Sequence, residues 1–258
     1  MTDNYLNVHI EGEVAVLTLN RPDKLNAMDA STRVRLAQTI RRFGTGDVVR
    51  GIVLTGTGRA FSAGEDLQTV PTTYPEIRDA FATFHDITRA ILETRVPVIA
   101  AVNGIAVGGA SEITLCCDLR IATPAAEYYQ PENHRGIIIS NASSFLLGRL
   151  VRNNAMRIIL GSERIDAYEA LKIGLVDEIV PAERLLGRAA EVIGQWNSDP
   201  RITALHLDLL RPRIEDIEDA FAREDKAAYE AWASGAFTEG IESFWISKNA
   251  AASPTTSN

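Results

Sequence analysis

The sequence predicts an α/β fold: a mainly parallel sheet covered by crossover helices, followed by a helical carboxy-terminal region. Three observations carry this. Short apolar runs such as Gly51-Ile52-Val53-Leu54-Thr55 alternate with longer segments of helical periodicity, the order that βαβ crossovers produce. After about residue 140 the texture changes to successive helices, and from about residue 200 strand signals are few. The chain has 258 residues, 46% hydrophobic and 23% charged, which suits one large domain with a helical appendage and excludes a disordered or disulfide-scaffold chain. The division expected is a core domain over 1–199 and a helical region over 200–258.

The elements follow in order. Val8-His9-Ile10 and Val14-Ala15-Val16-Leu17-Thr18-Leu19 flank Glu11-Gly12 and read as two strands about a turn. Asp29 is placed to cap a helix over 30–43. Strands at 51–55 and 97–102 bracket a helix over 75–94. The window 96–117 has membrane-like hydropathy, but Asn103, Glu112 and three glycines interrupt it, so it reads as a buried strand, a turn and a helix. Helices are expected at 142–150, 154–160, 167–173, 182–196, 214–233 and 239–248, broken only by a strand over 174–180. The carboxy-terminal stretch is amphipathic and is expected to pack on the main domain or on another subunit. Residues 250–258 read as a polar tail.

Charge and cysteine content narrow the function. With 26 Lys+Arg against 34 Asp+Glu the formal charge is -8, which opposes binding to nucleic acid or to a membrane surface, since both need clustered cations. The only cysteines, Cys116 and Cys117, are adjacent, poorly placed to bridge each other or to build a metal site. No metal is expected. The amino terminus lacks the basic and apolar regions of a secretory signal, and a reducing cytoplasm fits best.

Three segments can carry chemistry. Gly56-Thr57-Gly58-Arg59-Ala60-Phe61-Ser62-Ala63-Gly64-Glu65-Asp66 begins like a dinucleotide fingerprint but has Phe61 in place of the third glycine. It reads either as a tight turn or as a loop whose backbone a ligand can approach. In Asn103-Gly104-Ile105-Ala106-Val107-Gly108-Gly109-Ala110-Ser111-Glu112, glycines at a strand-to-helix junction expose the N–H groups of a helix start, which stabilise an oxyanion. Glu112 in the first turn is either favourable helix-end electrostatics or a working carboxylate, and its apolar surroundings make idleness costly. Tyr128-Tyr129-Gln130-Pro131-Glu132-Asn133-His134 supplies a second carboxyl beside a proline. Two carboxyls brought together can divide into acid and base.

Together these segments resemble the crotonase, or enoyl-CoA hydratase/isomerase, superfamily over residues 8–248. The resemblance includes Asn20-Arg21-Pro22 with Leu25-Asn26-Ala27-Met28, Arg59-Ala60-Phe61-Ser62-Ala63-Gly64-Glu65-Asp66-Leu67, and Ala101-Val102-Asn103-Gly104 with Gly108-Gly109. It continues through Cys117-Asp118-Leu119-Arg120-Ile121-Ala122 and Ala167-Tyr168-Glu169-Ala170 with Gly174-Leu175-Val176. The order and spacing of the motifs are specific where each alone is weak.

The resemblance implies a spiral of ββα units with a carboxy-terminal helical trimerisation region, giving trimers or dimers of trimers. It implies an acyl-CoA thioester as substrate, with no cofactor besides the coenzyme A that the substrate carries. Ala63 and Gly109 match the two oxyanion-hole amides, and Glu112 and Glu132 match the base and acid of hydratases. Lys24, Leu25, Gly64, Glu65, Asp66 and Leu67 fall in the substrate-contacting segments. Alternatives are another enolate-based reaction, such as isomerisation, ring-opening hydrolysis or decarboxylation, or a non-catalytic binding or scaffolding role, which the pair of glutamates opposes. Tyr129 stands where the family usually has glycine, and Asn133-His134-Arg135 replaces aliphatics. A phenol and an imidazole are therefore expected at the acyl pocket. Among the local cations Arg21, Lys24, Arg59 and Lys248, Lys24 falls in the segment that resembles the family's CoA-contacting loop, and the others read as solvated surface charges. Ser143 and Ser144 read as a helix start rather than as nucleophiles, and His85 as a packing or surface residue.

Overall fold

The computed structural model describes residues 5–69 and 71–252, the side chains of 69 and 247–252 excepted. Strands β1 (Leu6–Glu11) and β2 (Val14–Leu19) form the expected antiparallel pair. Asp29 caps α1 (Ala30–Gly44), its carboxylate accepting from the Thr32 N–H. Then follow β3 (Gly51–Gly56), β4 (Ala60–Ser62) and α2 (Tyr74–Leu92), whose start is fixed by a reciprocal Thr73 and Glu76 capping box. Two more strand pairs follow: β5 (Val98–Val102) and β6 (Ile105–Val107) before α3 (Gly109–Cys116), then β7 (Leu119–Ala122) and β8 (Glu127–Tyr129).

In each of these three pairs the first strand joins one sheet and the second joins another. The larger sheet has the order β1-β2-β3-β5-β7-β10, and the smaller one β4-β6-β8-β9, where β9 is Arg164–Asp166 and β10 is Glu178–Ile179. The period-2 geometry of a strand sends alternate side chains to opposite faces. Val14, Val16, Val53, Ile99 and Ala101 therefore meet one apolar layer, while Ala15, Leu17, Ile52, Leu54, Val98 and Ala100 meet the other. The first layer is closed by Leu185, Ala189, Val192 and Ile193 of α7 (Leu185–Trp196), and the second by α1 and α2. With both faces covered, these strands read as unbroken apolar runs.

The helical half contains α4 (Ser143–Val151), α5 (Asn154–Ile159), α6 (Ala167–Ile173), α8 (Pro200–Leu210), α9 (Ile214–Ala233) and α10 (Ala236–Ala252). Two expectations change. The strand over 174–180 shrinks to Glu178–Ile179, because Gly174 at φ +84° ends α6 with a left-handed turn. The amphipathic stretch after 200 includes a separate helix, α8, capped by Asp199. Helix α9 packs on the main domain: Phe221 stacks on His85 at 3.9 Å, and Arg89 pairs with Glu218. His85 is thus a packing residue, its imidazole pushed down to about 4 by burial.

Candidate active site

Strands β4, β6 and β8 are neighbours and parallel, so their carboxyl ends lie on one edge of the small sheet, where α/β folds place ligands. The three chemistry-bearing segments leave from those ends. The chain exits β4 into Ala63-Gly64-Glu65, β6 into Gly108-Gly109 at the start of α3, and β8 into Gln130-Pro131-Glu132. They converge on a cavity of about 60 Å³ whose walls include Ala63, Glu65, Gly109, Glu112, Glu132 and Ser140. A larger cavity of about 520 Å³, between α8 and the far end of α3, is mainly apolar. The charged pair in its wall, Arg211 and Asp118, is self-satisfied at 2.7 Å.

Backbone donors are assigned by where each N–H goes. The Ala63 N–H donates to the Leu25 carbonyl at 2.8 Å, so Ala63, expected as an oxyanion donor, is not available for that role. Met28 donates to Gly64 O and accepts from Asp66 N, an isolated parallel bridge that straddles Glu65. Strand alternation then turns the Glu65 N–H away from Met28, and it has no acceptor among the described residues. The Gly109 N–H, first of α3, likewise has none, the first helical bond being Glu112 N to Gly108 O. A side chain on Gly64 would sit 2.6 Å from Val107 O and 3.4 Å from Gly109 N, which measures how closely the two loops meet. The amides of Glu65 and Gly109 are the pair on this cavity. Nothing in composition separates Ala63 from Glu65; the distinction lies in which neighbour the alternating N–H groups face.

The two carboxyls are both deeply buried and both line the cavity. Glu112 is clamped: Oε1 accepts from Ser140 N at 3.0 Å, while Oε2 accepts from Ser140 Oγ at 2.7 Å and Asn141 Nδ2 at 3.0 Å. Glu132 Oε2 is buried with no hydrogen-bond partner among the described residues. Burial raises both carboxyls, and repulsion from Glu132 raises Glu112 further, so the pair holds one proton well above the usual carboxylate range. The fixed donors from Ser140 and Asn141 favour the charged form of Glu112. Gly108 makes the approach possible. Its φ of +54° suits glycine, and a Cβ there would lie 2.7 Å from Glu132 Oε1.

The model of the enoyl-CoA hydratase/isomerase family matches residues 9–249. The chain belongs to that family. It is 34% identical to the short-chain-enoyl-CoA hydratase of Clostridium acetobutylicum over 229 residues, covering 87% of this chain and 88% of the relative. Identity to the crotonyl-CoA hydratase of Syntrophomonas wolfei is 35% over 196 residues, with 74% and 75% covered. An enoyl-CoA hydratase/isomerase from Pseudoalteromonas atlantica superposes with a TM-score of 0.84 at 30% identity, covering 95% of this chain and 98% of the other.

Other family positions are placed less as expected. Tyr129 lies outside the cavity, with the Arg164 guanidinium over its ring at 4.4 Å. His134 is exposed on the turn Glu132–Arg135. Neither lines this cavity, because β8 and the turn point those side chains outward; Phe81, Phe84, Arg135, Ile137 and Ile138 line it instead. Asp66 is engaged by Arg21 and the Gln68 N–H, so neither Asp66 nor Arg21 is an uncommitted group. Leu67 does reach the cavity. Lys24 and Arg59 are exposed, Leu25 is left-handed at φ 52°, and the Lys248 side chain lies outside the described residues. Ser143 is buried at the start of α4, and the next N–H, that of Ser144, donates to Glu224.

Proposed function

We propose that this chain hydrates short 2-enoyl-CoA thioesters, with Glu112 as base and Glu132 as acid. The observation that carries the reading is the meeting of two buried glutamates and two unspent amides, Glu65 and Gly109, in one cavity. Hydration, rather than another enolate reaction of the family, is favoured by the presence of both carboxyls. A short acyl group is favoured by the cavity's size, about 60 Å³.

In this mechanism the thioester oxygen lies between the Glu65 and Gly109 amides and a water lies between the glutamates. Glu112 takes a proton from the water as its oxygen bonds to Cβ, and the displaced π electrons reach the thioester oxygen as an enolate. Glu132 then delivers its proton to Cα, giving the 3-hydroxyacyl thioester. Transfer of a proton from Glu112 back to Glu132 restores the pair. One oxyanion donor is commonly worth about 3 kcal/mol of barrier, so the hole matters as much as either carboxyl.

The coenzyme phosphates would be met by the exposed Lys24 and Arg59, local charges on an acidic protein. No described helix is long and apolar enough to cross a membrane, and a cytoplasmic location is part of this proposal. Assembly as a trimer or dimer of trimers is supported by the exposed Leu205, Leu209 and Leu210 of α8. The test is loss of enoyl absorbance with a panel of 2-enoyl-CoA esters. Turnover of the short esters is expected; binding of the esters without turnover would favour a scaffold instead.

A further inference from the structure

The Glu112 clamp rests on a side chain that belongs to this chain's own loop sequence, Ser140-Asn141-Ala142-Ser143-Ser144. Asn141 is wholly buried and left-handed at φ 59°, and Ala142 follows at φ 58°. Consecutive non-glycine residues in that region are costly and persist only when their surroundings fix them. Two contacts do so. Thr88 Oγ1 on α2 donates to Asn141 Oδ1 at 3.0 Å, which turns the amide so that Nδ2 meets Glu112 Oε2. Glu224 on α9 accepts from Ala142 N at 3.0 Å and Ser144 N at 2.9 Å, which pins the backbone. The clamp therefore draws on four separate stretches of chain: α2, α3, the loop before α4, and α9.

Resting on the hydratase reading, we infer that Asn141 is a positioning residue: its amide, oriented by Thr88 and by the Glu224-pinned backbone, holds Glu112 as a water-facing anion. A carboxylate left free to turn in a dry cavity would take the proton that Glu132 needs to keep, and the division into base and acid would be lost. The titratable groups facing Glu112 are Glu132 after β8, Glu224 on α9 and the Cys116 thiol on its own helix. The carboxyls oppose its charge and the thiol stays neutral, pushed up to about 12 by burial. The compensating donors are those of Ser140 and Asn141.

The test uses Asn141→Gly, which keeps the left-handed backbone and deletes the amide, Asn141→Asp, which replaces the donor by an acceptor, and Thr88→Val, which removes the anchor together with the hydroxyl's 3.3 Å contact to the neutral Cys116 thiol. Removing a donor to a carboxylate raises its pKa, so the acid limb of the kcat/KM profile should move to higher pH. The shift expected is about one to two pH units for Asn141→Gly, more for Asn141→Asp and less for Thr88→Val. The kcat should fall about ten- to hundredfold with KM within about twofold. Glu112 titration is followed in parallel by infrared difference spectra against Glu112→Gln, which does not depend on turnover. An unmoved infrared midpoint in folded Asn141→Gly or Thr88→Val overturns the inference. A moved midpoint in a protein that hydrates no ester upholds the clamp while removing the hydratase reading. If the Asn141 variants do not fold, the Thr88→Val midpoint decides alone.

Discussion

In the proposed mechanism Glu132 and Glu112 perform opposite tasks with the same side chain, and the difference is made by their partners. Glu112 has three donors, whereas one Glu132 oxygen has none among the described residues. Glu132→Gln should lower kcat by about 10²–10⁴ with little change in KM, measured by steady-state hydration. Both carboxyls are raised by burial, so the active singly protonated pair should give a bell-shaped kcat/KM profile displaced toward neutral pH. Below it Glu112 gains a proton, and above it Glu132 loses one. Gly108→Ala tests geometry instead of charge. A Cβ 2.7 Å from Glu132 Oε1, at a φ of +54°, should displace the acid and cost about a hundredfold in kcat, with CoA-ester affinity retained in an equilibrium binding assay. Both carboxyls were legible in sequence, because a glutamate inside an apolar run and another beside Pro131 each need a reason to be there. The proposed oxyanion donor was not: Ala63 and Glu65 differ in the direction of an N–H, which the neighbouring Leu25–Met28 segment sets.

At the scale of elements, Glu224 ties α9 to the start of α4. Glu224→Ala would leave the N–H groups of Ala142 and Ser144 without their acceptor, and should lower unfolding stability by about 1–3 kcal/mol in urea titrations. Burial raises the Glu224 carboxyl from 4.5 to about 7, against the pull of its two amide donors. Between those values the folded protein holds a proton that the unfolded chain has released. This contribution to stability is therefore lost as pH rises through the window, and Glu224→Gln should flatten that part of the stability profile. The helices of this half other than α8 were readable from periodicity. That α9 turns back onto α2 and α4 was left open in sequence, since an amphipathic face shows that it will be covered and not by what. Asn141 was likewise hidden, because its value depends on α2, α3 and α9 meeting at one loop.

For the whole molecule, the net charge of -8 and the exposed apolar side chains of α8 pull in different directions. Mutual repulsion opposes casual association, while Leu205, Leu209 and Leu210 invite a specific one. Light scattering at micromolar concentration should give a trimer or a multiple of it, and Leu209→Glu with Leu210→Glu should shift it toward monomer. A wild-type chain that scatters as a monomer would refute the proposed assembly.

Periodicity and apolar runs were enough for most helices, for the buried strands at 51–55 and 97–102 and to mark both carboxyls as candidates, because local propensity and burial pattern are written residue by residue; the family resemblance supplied the roles of the carboxyls. Only the tertiary structure decided which amides at the cavity are already committed, that Tyr129 and His134 lie outside it, and that a buried asparagine donates to Glu112. Each of those depends on groups far apart in the chain arriving at one place with a particular orientation, and that information resides in packing rather than in any single segment.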